Sequence, residues 1–143
     1  SAMTEDKRRL KRLRLIERVR SVEQRQAADA AHQAQAVRQR LEQLSEKTRS
    51  LAQLYALRDH AGDAAELRSA AVMGVQLRQL GRTADAQAGQ ARAEAESRMR
   101  DLASAERRRQ RAEDQRRDAH RALLERLLRP ENTPVRKVGT VVE

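Results

Sequence analysis

Apolar residues recur along this chain at alternating steps of three and four. From Leu13 the rhythm picks Leu13, Ile16, Arg20, Glu23, Ala27, Ala30, Ala34, Val37, Leu41, Leu44, Thr48, Leu51 and Tyr55, of which ten of thirteen are apolar. A seam kept up over about six heptads predicts a long helix that pairs with another. Arg20 and Glu23 break it, and Val19 and Val22 sit beside the break, so the stripe is expected to drift there. From Leu67 the same rhythm picks Leu67, Ala70, Gly74, Leu77, Gly81, Ala84, Ala88, Ala91, Ala95, Arg98, Leu102, Ala105, Arg109, Ala112, Arg116, Ala119 and Leu123. Fourteen of these seventeen are apolar or glycine, and the three exceptions are all arginine.

Between the seams lies the stretch RDHAGDAAE, residues 58–66. Gly62 suits the end of a helix, because it reaches positive φ without a Cβ clash. Asp63 suits the start of the next helix as its N-cap, and Glu66 three residues on completes a capping-box pattern. Arg58 and His60 complement the negative end of the first helix dipole. The pattern predicts an all-α fold, a long antiparallel two-helix coiled-coil hairpin. Helix 1 is expected over about 4–60, the turn at 61–63 and helix 2 over about 64–129. Residues 1–3, SAM, read as a cloning remnant, with Met3 the expected natural start. Pro130 ends helix 2, and residues 130–143 are expected to be extended or disordered. Two helices that each pair with another copy, in a swapped dimer, are the alternative; the turn chemistry favours a monomeric hairpin.

Composition supports long helices over a compact core. Tyr55 is the one aromatic residue, and charged residues make up 36% of the chain. Small residues crowd both seams, so the middle of the coil should be thin: each methylene not buried forfeits ~0.8 kcal/mol. Cysteine is absent, which excludes disulfides, thiolate nucleophiles and Cys-based zinc sites. His32, His60 and His120 are far apart and in no metal-ligand spacing, and no phosphate-cradling glycine loop is present. The chain is expected to be a non-enzyme with no catalytic residue, cofactor, metal or small-molecule substrate. No apolar run approaches the ~18 residues that cross a bilayer, so a cytoplasmic location is expected.

Charge changes the picture most. Residues 1–20 hold eight basic and three acidic residues, residues 21–106 hold twelve of each, and residues 107–143 hold eleven and six. The net charge of +10 is therefore terminal. A turn centred near residue 61 pairs positions whose numbers add to about 123. It would bring Arg8, Arg9, Arg12 and Arg14 beside Arg107, Arg108 and Arg109 in one basic end. It would also lay Ala27, Ala30 and Ala34 opposite Ala88, Ala91 and Ala95. Helix 2 would outrun helix 1 from about His120, leaving Leu123, Leu124, Leu127 and Leu128 as an unpartnered apolar face. Nucleic acid is a generic partner for a basic patch, although no aromatic is interleaved to stack on bases. The bland reading is that the arginines solvate a thin coil.

The opening KRLRLIERVR, continuing VEQRQAADAAHQAQAVRQRLEQL, resembles the FliJ family, small coiled-coil components of bacterial flagellar export, and its YscO counterparts in virulence type III secretion. LAQLYALRDHAG followed by AAVMGVQLRQL is similar in layout to that family, over most of residues 4–129. The resemblance implies a stalk-like protein of flagellum biogenesis and protein transport, cytoplasmic and peripheral to the inner-membrane export apparatus. Its implied partners are the hexameric export ATPase, a gate protein of the FlhA type and substrate chaperones. The basic end would face the ATPase. Near the tip, Leu54, Tyr55, Met73 and Leu80 would be gate-contact candidates, with Leu51 and Leu77 nearer the seam. A basic coiled coil on nucleic acid, or a scaffold for another helix, is the alternative function.

Overall fold

The computed structural model describes residues 1–58 and 62–129. They form two helices, α1 over Ala2–Arg58 and α2 over Ala64–Leu128, which pack against each other. No strand occurs among the described residues, so the fold is the all-α two-helix hairpin. The expected helix end at 59–60, Ala61 of the turn and the 130–143 tail lie outside the described residues. Ser1 opens α1, its hydroxyl accepting the Thr4 amide at 3.3 Å. At the turn, Gly62 has φ of 133°, a conformation open to glycine alone at low cost. Asp63 then caps α2: its carboxylate accepts the Glu66 amide at 2.8 Å and its carbonyl accepts the Leu67 amide at 2.9 Å.

The hairpin divides into two compact units, residues 1–24 with those from 105 onward, and residues 25–104. In the first, Leu10, Ala119 and Leu123 form a buried cluster flanked by Met3 and Leu13. In the second, the buried apolar residues are Ala31, Ala84, Ala88, Ala91 and Ala95, with Ser45 and Thr48 buried among them. No leucine is buried there, so the seam is as thin as the composition implies. Thr48 satisfies its hydroxyl on the Leu44 carbonyl at 2.8 Å, and Ser45 donates to Asp85. Thr48 Cγ2 lies 3.8 Å from where a Cβ on Gly81 would stand, so the axes approach closely at that level.

The α2 seam falls where the rhythm placed it: every position from Leu67 to Leu123 is buried or half-buried except Arg98. On α1, half of the expected seam is displaced by one residue. Leu13, Arg20, Ala27, Ala34, Leu41, Thr48 and Tyr55 do turn inward. Their alternating partners are Leu10, Glu17, Gln24, Ala31, Arg38, Ser45 and Ala52, while Ile16, Val37, Leu44 and Leu51 are exposed. Two forces choose this face. The glycines and alanines of α2 bring the axes too close for a row of leucines, and Ser45 and Ala52 fit where Leu44 and Leu51 would overpack. Glu17 also takes Arg116, a seam arginine of α2, with Nε to carboxylate at 2.7 Å.

The register differs as well. Asp6 pairs with Arg126, Glu17 with Arg116, Glu42 with Arg92, and Thr48 lies on Gly81. These numbers add to between 129 and 134 rather than to 123, a slip of roughly two to three helical turns. Register is decided by the interlocking of the whole seam, and a short connection need not be symmetric about its glycine. Ala27, Ala30 and Ala34 are therefore not matched one for one with Ala95, Ala91 and Ala88: Ala34 comes level with Ala95, and Ala30 and Ala34 share a groove with Ala91. The expected overhang from His120 is also absent, because Leu123 is core against Leu10.

Candidate partner-binding surfaces

The first candidate surface belongs to the unit holding both helix ends. Its described residues carry seventeen basic and nine acidic side chains, against twelve and ten in the unit of residues 25–104. On α1, Lys7, Arg8, Arg9, Lys11, Arg12, Arg14 and Arg18 are all exposed. Among the described residues none of them is paired with a carboxylate. Leu10 and Leu13 face α2, and the exposed Leu15 and Ile16 interrupt the charges on the rest of the helix. Four of the unit's nine described acids are engaged elsewhere, Glu23 among them on Arg20 at 3.0 Å. Asp6 takes Arg126 at 2.8 Å, Glu17 takes Arg116, and Glu113 takes both Arg109 at 3.1 Å and Arg117 at 2.6 Å. The hydrogen bond from Arg116 to Glu17 raises the arginine's pKa, so that charge is fixed.

Arg107, Arg108 and Arg109 do not join the first basic run. The register sets them level with residues near 24, ~20 Å along the axis from the centre of the 8–14 stretch. Arg109 sits half-buried on the seam with Glu113, while Arg107 and Arg108 are exposed. The residues level with Arg8–Arg14 are instead Arg117, His120 and Arg121, with Arg126 and Arg116 at either side. Of the four terminal leucines, Leu123 is buried and Leu124, Leu127 and Leu128 are exposed, Leu128 at 80%.

The second candidate surface runs along the unit of residues 25–104, whose two flanks differ in kind. One flank is bridged by polar contacts beside a groove lined by Ser45, Arg49, Ala52, Leu77, Gly81 and Asp85. Arg49 reaches Asp85 at 3.4 Å, Arg92 reaches Glu42 at 3.1 Å, and Ser45 donates to Asp85. Glu42 also holds Arg38 at 3.0 Å; that bond first, then Arg92, keeps its carboxyl below the usual range. The opposite flank has a groove lined by Ala30, Gln33, Ala34 and Val37 of α1 and Ala91, Glu94 and Arg98 of α2. One heptad further along, the equivalent places are taken by Leu44 and Gln87. A second heptad brings Leu51 and Leu80, and a third brings Leu54, Tyr55 and Met73. Leu44, Leu51, Leu54, Met73 and Leu80 are exposed, and Tyr55 is half-buried on the seam.

The expected tip residues Leu54, Tyr55, Met73 and Leu80 therefore share one flank with Leu51, and the structure adds Val37 and Leu44 to it. Sequence reasoning assigned Val37, Leu44 and Leu51 to the seam. The signal against that assignment was electrostatic: Arg109 and Arg116 on the α2 seam require polar residues opposite, and Glu17 and Gln24 supply them one position beyond Ile16 and Glu23. Among the described residues no helix is long and apolar enough to cross a membrane. Comparison with protein-family models, with characterised proteins and with solved structures finds no match to this chain.

Proposed function

We propose that this chain is a non-enzymatic coiled-coil component of a bacterial flagellar or type III protein export apparatus, in which its basic unit engages the export ATPase. The observation that carries the reading is the run from Lys7 to Arg18, seven exposed bases on a rigid helix without acidic partners. A helix whose charges are not spent on its own carboxylates leaves them for a partner of opposite sign. Such a surface speeds encounter with an acidic ring and sets orientation more than it adds affinity. The opening sequence, which resembles FliJ, supplies the identity of the partner, and a gate protein of the FlhA type and substrate chaperones are further candidate partners. The location this reading implies is cytoplasmic and peripheral to the inner membrane.

The test replaces Arg8, Arg9, Arg12 and Arg14 with glutamine, which is nearly as good a helix former. Helicity should be retained, while stimulation of a purified export ATPase is lost. The same basic run favours one other reading, electrostatic binding of nucleic acid. If ATPase stimulation is unchanged by the four substitutions while duplex DNA retention in a gel is abolished, the export reading fails and the nucleic-acid reading replaces it.

A further inference from the structure

We infer that the apolar flank of residues 30–54 and 73–94 is a self-association surface, on which a second copy of this chain docks to complete a four-helix bundle. The inference does not rest on the export reading and uses none of the basic residues that carry it, although Leu51, Tyr55 and Leu80 are also gate-contact candidates there. On α1, Ala30, Val37, Leu44 and Leu51 recur every seven residues on the side turned away from the ion-paired flank. Together with Ala34, Leu41, Thr48 and Tyr55 they make a second heptad seam on the same helix. A helix with two adjoining seams is built to touch two neighbours. Among the described residues only one of them, α2, is present. The large side chains of the second seam, Val37, Leu44 and Leu51, remain 43–47% exposed, and Leu80 of α2 remains 53% exposed.

Size, charge and periodicity point to the same occupant. From Ala30 to Leu51 the flank runs ~32 Å, and two helices side by side are ~20 Å wide, which gives a footprint of ~640 Å². Two such footprints bury ~1,300 Å², inside the range of about 1,200–2,000 Å² for stable interfaces. The edges carry opposite signs on the two helices. Arg40 and Lys47 line the α1 edge without a carboxylate partner, while Glu94 and Asp101 on α2 share the single Arg98. A two-fold axis parallel to the helices lays each α1 on the other copy's α2. It sets Arg40 level with the other copy's Glu94, because these positions share a level within the hairpin. A surface whose two halves complement each other is what an isologous dimer requires. Twelve basic and ten acidic residues in this unit leave little net charge to oppose closure. The knobs that such a seam accepts must come at heptad spacing, and this chain carries them.

The experiment is sedimentation equilibrium on the full chain across a wide concentration range, with circular dichroism on each variant. The wild type should follow a monomer–dimer equilibrium. Leu44→Glu with Leu51→Glu should weaken dimerisation at least tenfold and leave helicity at low concentration unchanged, since both side chains lie outside the hairpin seam. Arg40→Glu alone and Glu94→Arg alone should each weaken the dimer several-fold. Combined in one chain they should restore it, which a partner other than this chain could not produce. A wild type that is monomeric at every concentration overturns the inference. So does a dimer untouched by the two glutamates, which would have formed through another surface or by exchange of helices.

Discussion

Replacing Ala95 with leucine tests the closeness of the two helices directly. Ala95 is 0% exposed and lies on the α2 seam between Ala88 and Ala91 on one side and Leu102 on the other. Leucine and alanine are both strong helix formers, so propensity contributes little to the difference. The added side chain brings three more carbons. If the seam could open to bury them without strain, the variant would gain up to ~2.4 kcal/mol at ~0.8 kcal/mol per methylene. The structure argues for the opposite sign. Gly81 and Thr48 hold the axes close, and Arg92–Glu42 and Arg49–Asp85 bridge the helices between that point and the level of Ala95. Room for leucine requires the axes to part and those contacts to stretch. Overpacking of this kind costs ~1–3 kcal/mol. For a chain of this length, between the size classes usually tabulated, that corresponds to a fall in Tm of about 3–4 °C per kcal/mol. The assay is thermal melting followed by circular dichroism, with Ala93→Leu on the exposed face as control, expected within about 0.5 kcal/mol of wild type. A Tm for Ala95→Leu above that of wild type would refute the close-packed seam.

Three further outcomes follow from the same geometry. Leu123→Ala should cost ~2 kcal/mol or more, because it empties the cluster on Leu10 and Ala119, whereas Leu128→Ala on the exposed end should change little; chemical denaturation of both variants separates core from surface. Gly62→Ala should destabilise by more than ~1 kcal/mol, since it forces a side chain into positive φ and toward Glu66, and a lowered urea midpoint would show it. Glu42 has a folded pKa below its unfolded value, so its contribution is present above the ordinary carboxylate range and is lost as pH falls through the depressed folded pKa. Glu42→Gln should therefore lower stability at neutral pH and narrow its gap to wild type in acid, as denaturation at a series of pH values would reveal.

The fold was legible because its signals are local. Steps of three and four, a glycine and an aspartate cap are read within a few residues of one another, and they located α1, α2 and the cap at Asp63. The α2 seam was equally readable, because glycine, alanine and leucine alternate on it against a polar background. What failed depends on the other helix. On α1 the positions Ile16, Val37, Leu44 and Leu51 are more apolar than Glu17, Arg38, Ser45 and Ala52, so hydrophobicity alone selects the wrong row. The right row is fixed by what α2 offers: close backbone at Gly81, and Arg116 in need of a carboxylate. The register failed for a related reason. Turn residues mark where a helix ends, while the relative slide of two helices is an energy summed along the seam. With that slide misplaced, Leu123 was read as free surface and Arg107–Arg109 as neighbours of Arg8–Arg14.

The distribution of leucine in the unit of residues 25–104 decides where free energy remains to be gained. Its seam buries alanines, serine and threonine, which supply close contact but little apolar area. Leu44, Leu51, Leu54 and Leu80 stay about half exposed, and each retains a large share of the ~1.5–3 kcal/mol that full burial of such a side chain yields. A chain selected only for hairpin stability would have these residues on the seam, with wider axes between the helices. The arrangement found differs: small residues make the fully buried contacts, Leu41, Leu77 and Leu102 are half-buried on the seam, and Leu44, Leu51, Leu54 and Leu80 stay on the outside. The unit bearing residues 7–18 follows the same logic with charge, since Asp6 and Glu17, the acids that flank or interrupt the run on α1, pair with Arg126 and Arg116 while the exposed run of bases is left without them. Both surfaces are what remains after the hairpin has satisfied itself with the cheaper contacts, so partner binding can act on each without first breaking the contacts that hold the helices together.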